Sequence, residues 1–421
     1  MDIKGVIREQ RKELEDILKK EKIIDREGLE NAKSYLKRPN ILIITGIRRC
    51  GKSIFSYLLE RGHKFAYINF DDERLLGIKT EELNLVLQAF YELYGDIEYL
   101  IFDEIQNVKG WELFANRLRR TKKVIITGSN SSLLSGELAS HITGRYLEVN
   151  LFPFSFKEFL NFKGFNFQNA YTTEEKAEIL NKLKEYMEKG GFPESYSLGS
   201  PIVAKIYDNI ITKDILLRYG IRKIDELKKL SRYIISNSSK EFTHNKLSNI
   251  INVERLSTIS NWIYYLEETF LIFKLEKFDF KLKQQYKAPK KGYCIDTGII
   301  NSIGFKVSEN IGATIETLVA IELQRRKRLN INLEIYYWKD YQQNEVDFVI
   351  KDKNKVSQLI QVSYILSKED INEREIRSLL KGSKELRCDN LLVLTWDYEA
   401  EEKTDGKIIH YIPAWKWLIG G

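Results

Sequence analysis

Cysteine and histidine are scarce. Three cysteines (Cys50, Cys294, Cys388) and four histidines in 421 residues are too few and too scattered for a disulfide framework or a ribbon-type zinc site, which excludes the small secreted scaffolds and fits a reducing compartment. No stretch of roughly 18 uncharged apolar residues occurs, and the start Met1-Asp2-Ile3-Lys4, running into a charged helix, has neither a leader nor an anchor pattern. The expectation is a soluble, cytoplasmic protein with no membrane partner. An excess of one charge is also missing. The 67 Lys and Arg against 60 Asp and Glu leave +7, which permits an anionic partner but falls short of a dedicated nucleic-acid arm. Only two methionines stand beside many Lys, Glu and Ile, a balance that leans toward a heat-adapted source. What is present, 43% hydrophobic and 12% aromatic residues, suffices for substantial cores in two to four domains.

Residues 2–22 carry Ile3, Ile7, Leu14 and Leu18 at near-helical spacing among Arg, Lys and Glu, and predict an amphipathic helix that is an appendage to the downstream chain. A second helix, Asp25 to Leu36, is expected to stop before Pro39. Short apolar runs at 41–44, 65–70, 99–102 and 124–126, separated by helical stretches such as 83–94 and 111–118, read as strands of a parallel sheet with crossover helices. From 156 to 223 only helical periodicity is found. Three helical segments (226–236, 243–251, 254–271) then precede a hairpin, the order of a winged helix, and a mixed pattern begins after 291 with a helix at 311–328 and strands near 334–338, 346–350, 359–362 and 390–395. The fold class is therefore α/β: a P-loop-type parallel sheet with a helical lid, a winged helix, and an α/β restriction-endonuclease-like domain. The expected division is an N-terminal helical segment (1–36), a P-loop core (37–155), a helical lid (156–223), a winged helix (224–292) and a nuclease-like domain (293–421).

Gly46-Ile47-Arg48-Arg49-Cys50-Gly51-Lys52-Ser53 fits G-x-x-x-x-G-K-[ST] between a buried strand and a helix, the context this motif requires. Its glycines let backbone N–H groups point at phosphate oxygens, with the helix N-terminus adding partial positive charge. Lys52 would neutralise the β- and γ-phosphates and the Ser53 hydroxyl would ligate Mg²⁺. Tyr99-Leu100-Ile101-Phe102 delivers Asp103 and Glu104 at a strand end: Asp103 for the Mg²⁺ shell, Glu104 to polarise the attacking water, a pairing that favours hydrolysis over phosphate transfer. After the strand 124–126, Ser129 and Asn130 either hold that water beside the γ-phosphate or cap a helix near Leu133. Arg145 either stabilises transition-state charge, as arginines usually do from a neighbouring subunit, or forms a surface ion pair. Cys50 reads as a small loop filler ahead of a redox switch.

These residues, with Asn69-Phe70-Asp71-Asp72, Gln106, Gly144-Arg145, Phe154-Ser155-Phe156-Lys157-Glu158-Phe159, Gly190-Gly191-Phe192-Pro193-Glu194, Tyr293-Cys294-Ile295-Asp296-Thr297-Gly298 and Glu345-Val346-Asp347-Phe348, resemble the prokaryotic AAA-type ATPases common in archaea, in which the ATPase is paired with a winged helix and a C-terminal domain of unknown function. The resemblance covers essentially the whole chain beyond the first helix and implies ATP and Mg²⁺ as cofactors, with hydrolysis.

On the segment Glu254 to Leu271, placed as a recognition helix would be, Arg255, Ser257, Thr258 and Asn261 are candidate DNA contacts. Six lysines and one aspartate between Lys277 and Lys291 give a local charge of +5, and Lys281, Lys283 and Lys287 would suit a phosphate backbone; the alternative is a protein-binding module with a solvated edge hairpin. Glu316, Asp347 and Gln361 follow the order of a PD-(D/E)XK nuclease core and form a possible second metal site, but Gln361 and Ser363 replace the usual acid and lysine, so a scaffold without cleavage is favoured. The expectation is an oligomeric ATPase acting on DNA; the alternatives are a nucleotide-gated binding module with little hydrolysis and an ATP-regulated metal-dependent nuclease.

Overall fold

The computed structural model describes residues 2–134, 142–165, 171–305 and 310–420. It divides into two compact units. The first runs to Pro153 and includes Asn161–Phe165 and Glu268–Phe270; the second takes the rest from Phe154 onward.

In the first unit Ile41–Thr45 (β1), Phe65–Asn69 (β2), Tyr99–Asp103 (β3), Lys123–Gly128 (β4) and Tyr146–Asn150 (β5) form a parallel sheet in the order β2-β3-β4-β1-β5. The first four are the expected apolar runs. β5 has no such run: Tyr-Leu-Glu-Val-Asn occupies the sheet edge, where one flank lacks a strand and none of its residues is fully buried. The crossover helices Lys52–Leu59, Leu83–Tyr94 and Trp111–Leu118 bury Phe55, Phe90 and Phe114. Register pairs Thr45 with Gly128, and Asn69 with Asp103, so the segments leaving β1, β3 and β4 emerge side by side at the carboxyl edge.

The helix Ile3–Lys20 is integral to this unit, which corrects its reading as an appendage. Val6 and Ile7 are buried in the same core as Ile41, Ala66 and Phe90. Gln10 pairs with Asn69 in both directions, accepting from its N–H at 2.9 Å and donating to its carbonyl at 3.0 Å, and also donates to Asp72. The second helix starts at Leu29, later than expected, and ends before Pro39.

Among the described residues of the region 156–223 the regular elements are all helices, the last of them the π-helix Ile210–Leu217 of the second unit. Beyond it come the helix Ile224–Ser236, Lys240–Phe242 (β6), the helices His244–Ile251 and Leu256–Glu268, then Ile272–Lys277 (β7) and Lys290–Cys294 (β8). Leu333–Lys339 (β9), Glu345–Asp352 (β10), Lys355–Val362 (β11), Leu391–Thr395 (β12), Ala400–Thr404 (β13) and Lys407–Pro413 (β14) complete a mixed sheet ordered β13-β14-β12-β11-β10-β9-β7-β8-β6. The expected boundary at 292 falls inside β8, and the parallel pairing of β7 with β9 joins both sides of it in one sheet. The expected hairpin is interrupted: a short helix, Leu282–Lys287, stands between β7 and β8.

Truncating Ile7 tests whether the first helix belongs to the fold. Ile7→Ala should lower the unfolding free energy by about 2–5 kcal/mol in urea denaturation, whereas the exposed Lys12→Ala should change it by less than about 0.5 kcal/mol.

Candidate functional site

The loop 46–53 leaves β1 at the carboxyl edge. At Gly46 φ is +150° and a Cβ would lie 2.1 Å from the Leu151 carbonyl oxygen, so only glycine permits this approach. Gly51 and Arg49 also have positive φ, and the loop passes directly into the helix that begins at Lys52. Cys50 is fully buried with Sγ 3.3 Å from the Leu151 carbonyl, and burial pushes its thiol up; both fit the loop filler better than a reactive thiolate.

The buried Lys52 ammonium donates to the carbonyls of Gly46 and Ile47, each at 3.2 Å, and lies 3.7 Å from Glu104. Ser53 Oγ donates to Asp103 Oδ2 at 2.6 Å, and Tyr67 and Thr127 hydroxyls also donate to this carboxylate. Burial, then the neighbouring Glu104, pushes the Asp103 carboxyl up against those hydrogen bonds. Glu104 goes the other way. Burial would raise it, but Lys52 and Arg48, with hydrogen bonds from Gln106 and Ser129, hold it below the usual carboxylate range. Its backbone is in the left-handed region at φ 51°, a conformation a non-glycine residue keeps only where its surroundings impose it.

The structure thus brings together Lys52, Ser53, Asp103, Glu104 and Ser129, with Asn130 buried beside Ser129 on the segment leaving β4. Arg145 is elsewhere. It is exposed just before β5, its carbonyl accepting from the N–H of Ile41, so it stands at the amino end of the strands, a strand length from its own loop. Arg26 was not anticipated. Buried, it donates to the Cys50 carbonyl at 2.9 Å and the Phe152 carbonyl at 2.7 Å, clamping the loop to the segment after β5. Nothing in its sequence neighbourhood marks it, because its partners are backbone carbonyls 24 and 126 residues away.

In the second unit Glu316 and Asp347 do converge, but a lysine sits among them. Lys291 Nζ, from β8, is 3.0 Å from Glu316, 3.3 Å from Asp347 and 2.5 Å from Glu345, and Tyr293 donates to Glu316. The Gln361 carbonyl oxygen accepts from the Asp347 N–H at 3.4 Å, which turns it toward backbone. Among the described residues no three His, Cys, Asp or Glu side chains are arranged to hold a metal ion. At the expected second metal site an ammonium group, that of Lys291, stands between the carboxylates of Glu316 and Asp347. Burial and then Glu316 push Asp347 up to about 7; burial opposes protonation of Lys291, but Glu316, Tyr293, Asp347 and Glu345 outweigh it and hold the lysine charged. Lys291 and Lys290, which pairs with Glu276, are thereby withdrawn from the expected +5 surface.

Arg255, Ser257 and Asn261 are exposed and Thr258 half-buried, while Ile259, Trp262 and Leu266 are buried; Lys281, Lys283 and Lys287 are exposed. Two motif strings meet in packing: Asp296 accepts from the Gly191 N–H at 2.6 Å, and a Cβ on Gly190 would strike the Asp296 carboxylate.

Residues 38–160 match the AAA domain family, and residues 180–310 and 311–417 match two domains of unknown function, DUF8612 and DUF4143. With the five-stranded parallel sheet, the first unit is an AAA-type P-loop domain. The chain is 38% identical to the uncharacterized protein MJ1544 of Methanocaldococcus jannaschii over 96% of its own length and 93% of that protein, and it belongs to the same family, with the AAA domain at residues 38–160. An uncharacterized protein of Haemophilus influenzae is 29% identical over 89% of this chain and 94% of its own length. Among solved structures, the Walker-type ATPase PABY2304 of Pyrococcus abyssi is similar at 15% identity and a TM-score of 0.46, over 67% of this chain and 96% of that one. Among the described residues no helix is long and apolar enough to cross a membrane.

The lysine-centred cluster has a pH signature. Folded Asp347 holds its proton to about pH 7, against roughly 3.9 in an unfolded chain. The folded state therefore binds more protons in this interval, and raising the pH from about 4 to 7 costs stability. The stability of the wild type relative to Asp347→Asn should fall over that range in urea titrations. Lys291→Met, which leaves the carboxylates without their cation, should lose about 3–5 kcal/mol at pH 7 and less at pH 4.

Proposed function

We propose that this protein binds and hydrolyses ATP with Mg²⁺ and couples the cycle to DNA. The observation that carries the reading is the 2.6 Å contact between Ser53 Oγ and Asp103 Oδ2 at the mouth of the loop, with Lys52 and Glu104 beside it. Ser53 and Asp103 supply the hydroxyl and carboxylate oxygens a hard cation takes. Held there, Mg²⁺ would neutralise charge between the β- and γ-phosphates. Lys52 exchanges the Gly46 and Ile47 carbonyls for phosphate oxygens, and the N–H groups of the loop and of the helix start receive the rest. Glu104 stays ionised through neutral pH and orients the attacking water, with its own carboxylate aimed by Ser129 and Gln106. Asn130 lies where it can meet the same water. Arg145, at the far end of its own strands, acts on the site of a neighbouring copy, which makes the working form a homo-oligomer.

The helix Ile224–Ser236, β6, the helices His244–Ile251 and Leu256–Glu268, and β7 and β8 follow winged-helix order, with β8 paired to both β6 and β7. Arg255, Ser257, Thr258 and Asn261 would face base edges, and Lys281, Lys283 and Lys287 the phosphates. The carboxylate cluster at Lys291 serves as scaffold, without cleavage.

Turnover of ATP by the wild type, Lys52→Ala and Glu104→Gln tests the hydrolytic reading. Lys52→Ala should abolish turnover, and Glu104→Gln should bind ATP yet turn over about 10²- to 10³-fold more slowly; equal background rates in all three would sink it. Arg26→Ala, which unclamps the loop but touches no phosphate, should raise KM for ATP by roughly 10-fold with a smaller effect on kcat, measured in the same assay.

A further inference from the structure

The segment between β7 and β8 carries a feature that DNA contact through lysines alone does not use. Phe280, Leu282 and Tyr286 are 73%, 62% and 66% exposed, three large apolar side chains within seven residues. They alternate with Lys281, Lys283 and Lys287, all exposed and without an ion-pair partner among the described residues. Single exposed apolar residues need no explanation, but a contiguous group of this size marks a contact surface.

The group is held out by its anchors. Asp279 Oδ1 accepts from the Lys281 N–H at 2.8 Å and sets the turn into the short helix. Gln285, the buried residue of that helix, donates to Glu276 at 2.9 Å, and its carbonyl accepts from Lys290 at 2.8 Å, so one face of the helix is tied down and Leu282 and Tyr286 are left outside. Phe280 stands edge to face on Phe278 at 5.4 Å, and Phe278 stands edge to face on Tyr336 of β9 at 5.5 Å. This ladder fixes the Phe280 ring against the sheet while most of its surface stays open.

Exposed aromatic faces alternating with lysines are the elements of a platform for an unpaired strand: bases stack on the rings, and the ammonium groups track the phosphates. In a duplex the base faces are covered by their neighbours, and the rings would have nothing to stack on. An anionic membrane surface would also attract lysines and aromatics, but interfacial binding uses a long amphipathic helix, and this one has six residues. We infer that the segment between β7 and β8 grips single-stranded nucleic acid, with Phe280 and Tyr286 stacking on bases and Lys281, Lys283 and Lys287 on phosphates. This rests on the nucleic-acid reading above and names the form of strand that is bound.

Fluorescence anisotropy of the full chain with a labelled 30-residue oligothymidylate, a labelled 30-base-pair duplex and anionic phosphatidylserine vesicles, from 50 to 200 mM salt, tests it. The single strand should bind more tightly than the duplex. Phe280→Ala with Tyr286→Ala should weaken single-strand binding by about 10- to 100-fold or more at an unchanged salt slope, since each stacked base contributes a neutral contact. Phe280→Trp should restore most of the loss caused by Phe280→Ala. Lys281→Ala, Lys283→Ala and Lys287→Ala together should reduce the slope of log K against log salt by about 2. Tyr286→Ala alone, at a ring with no role in the aromatic ladder, keeps the result independent of any disturbance at Phe280. Duplex binding that equals single-strand binding, with the aromatic variants unchanged, would overturn the stacking inference and leave the DNA reading standing. Binding of neither nucleic acid would remove both, and binding of vesicles alone would assign the surface to lipid.

Discussion

The approach of Gly46 to the Leu151 carbonyl sets the phosphate loop, and the rest of the first unit is arranged around it. Within the loop the Cys50 N–H donates to the Ile47 carbonyl, and further support comes from outside it. Cys50 and Arg26 provide that support by reaching carbonyls of Leu151, Phe152 and Cys50. The edge strand β5, unremarkable in composition, matters because it delivers the segment 151–152 against the loop.

The same sheet explains why two adjacent carboxylates behave differently. Asp103 ends β3 among hydroxyls from Ser53, Tyr67 and Thr127, and its burial raises its proton affinity; Glu104 has turned into left-handed backbone toward Lys52 and Arg48 and stays ionised. One residue of displacement along the chain separates a carboxyl held up by burial from a carboxylate held down by its cations.

In the second unit the electrostatic problem is solved internally. Three carboxylates at Glu316, Glu345 and Asp347 surround one ammonium, from Lys291, and the network continues through Lys339 to Glu241. A buried cluster that carries its own cation depends on it, and removing Lys291 leaves the carboxylates facing one another. It also ties β8 to β10, across the point where two separate domains were expected.

The P-loop and the strand ending in Asp103-Glu104 were legible because both are local patterns: a glycine spacing and an apolar run ending in acid, each within a few residues. The first four strands were legible for the same reason, since burial of nearly every residue demands continuous apolar sequence. β5 was not, because none of its residues is fully buried and no continuous apolar run is demanded of it. Residues that act through distant backbone left no trace: Arg26 meets carbonyls at positions 50 and 152, and Lys291 looked like one more wing lysine until β8 turned it toward Glu316 and Asp347. The sequence by itself determined the loop 46–53 and the carboxylate pair at 103–104, because each is encoded in consecutive residues. Tertiary structure decided which charges are free, since only packing brings a lysine to its carboxylates, and it left three lysines and two aromatic rings outside.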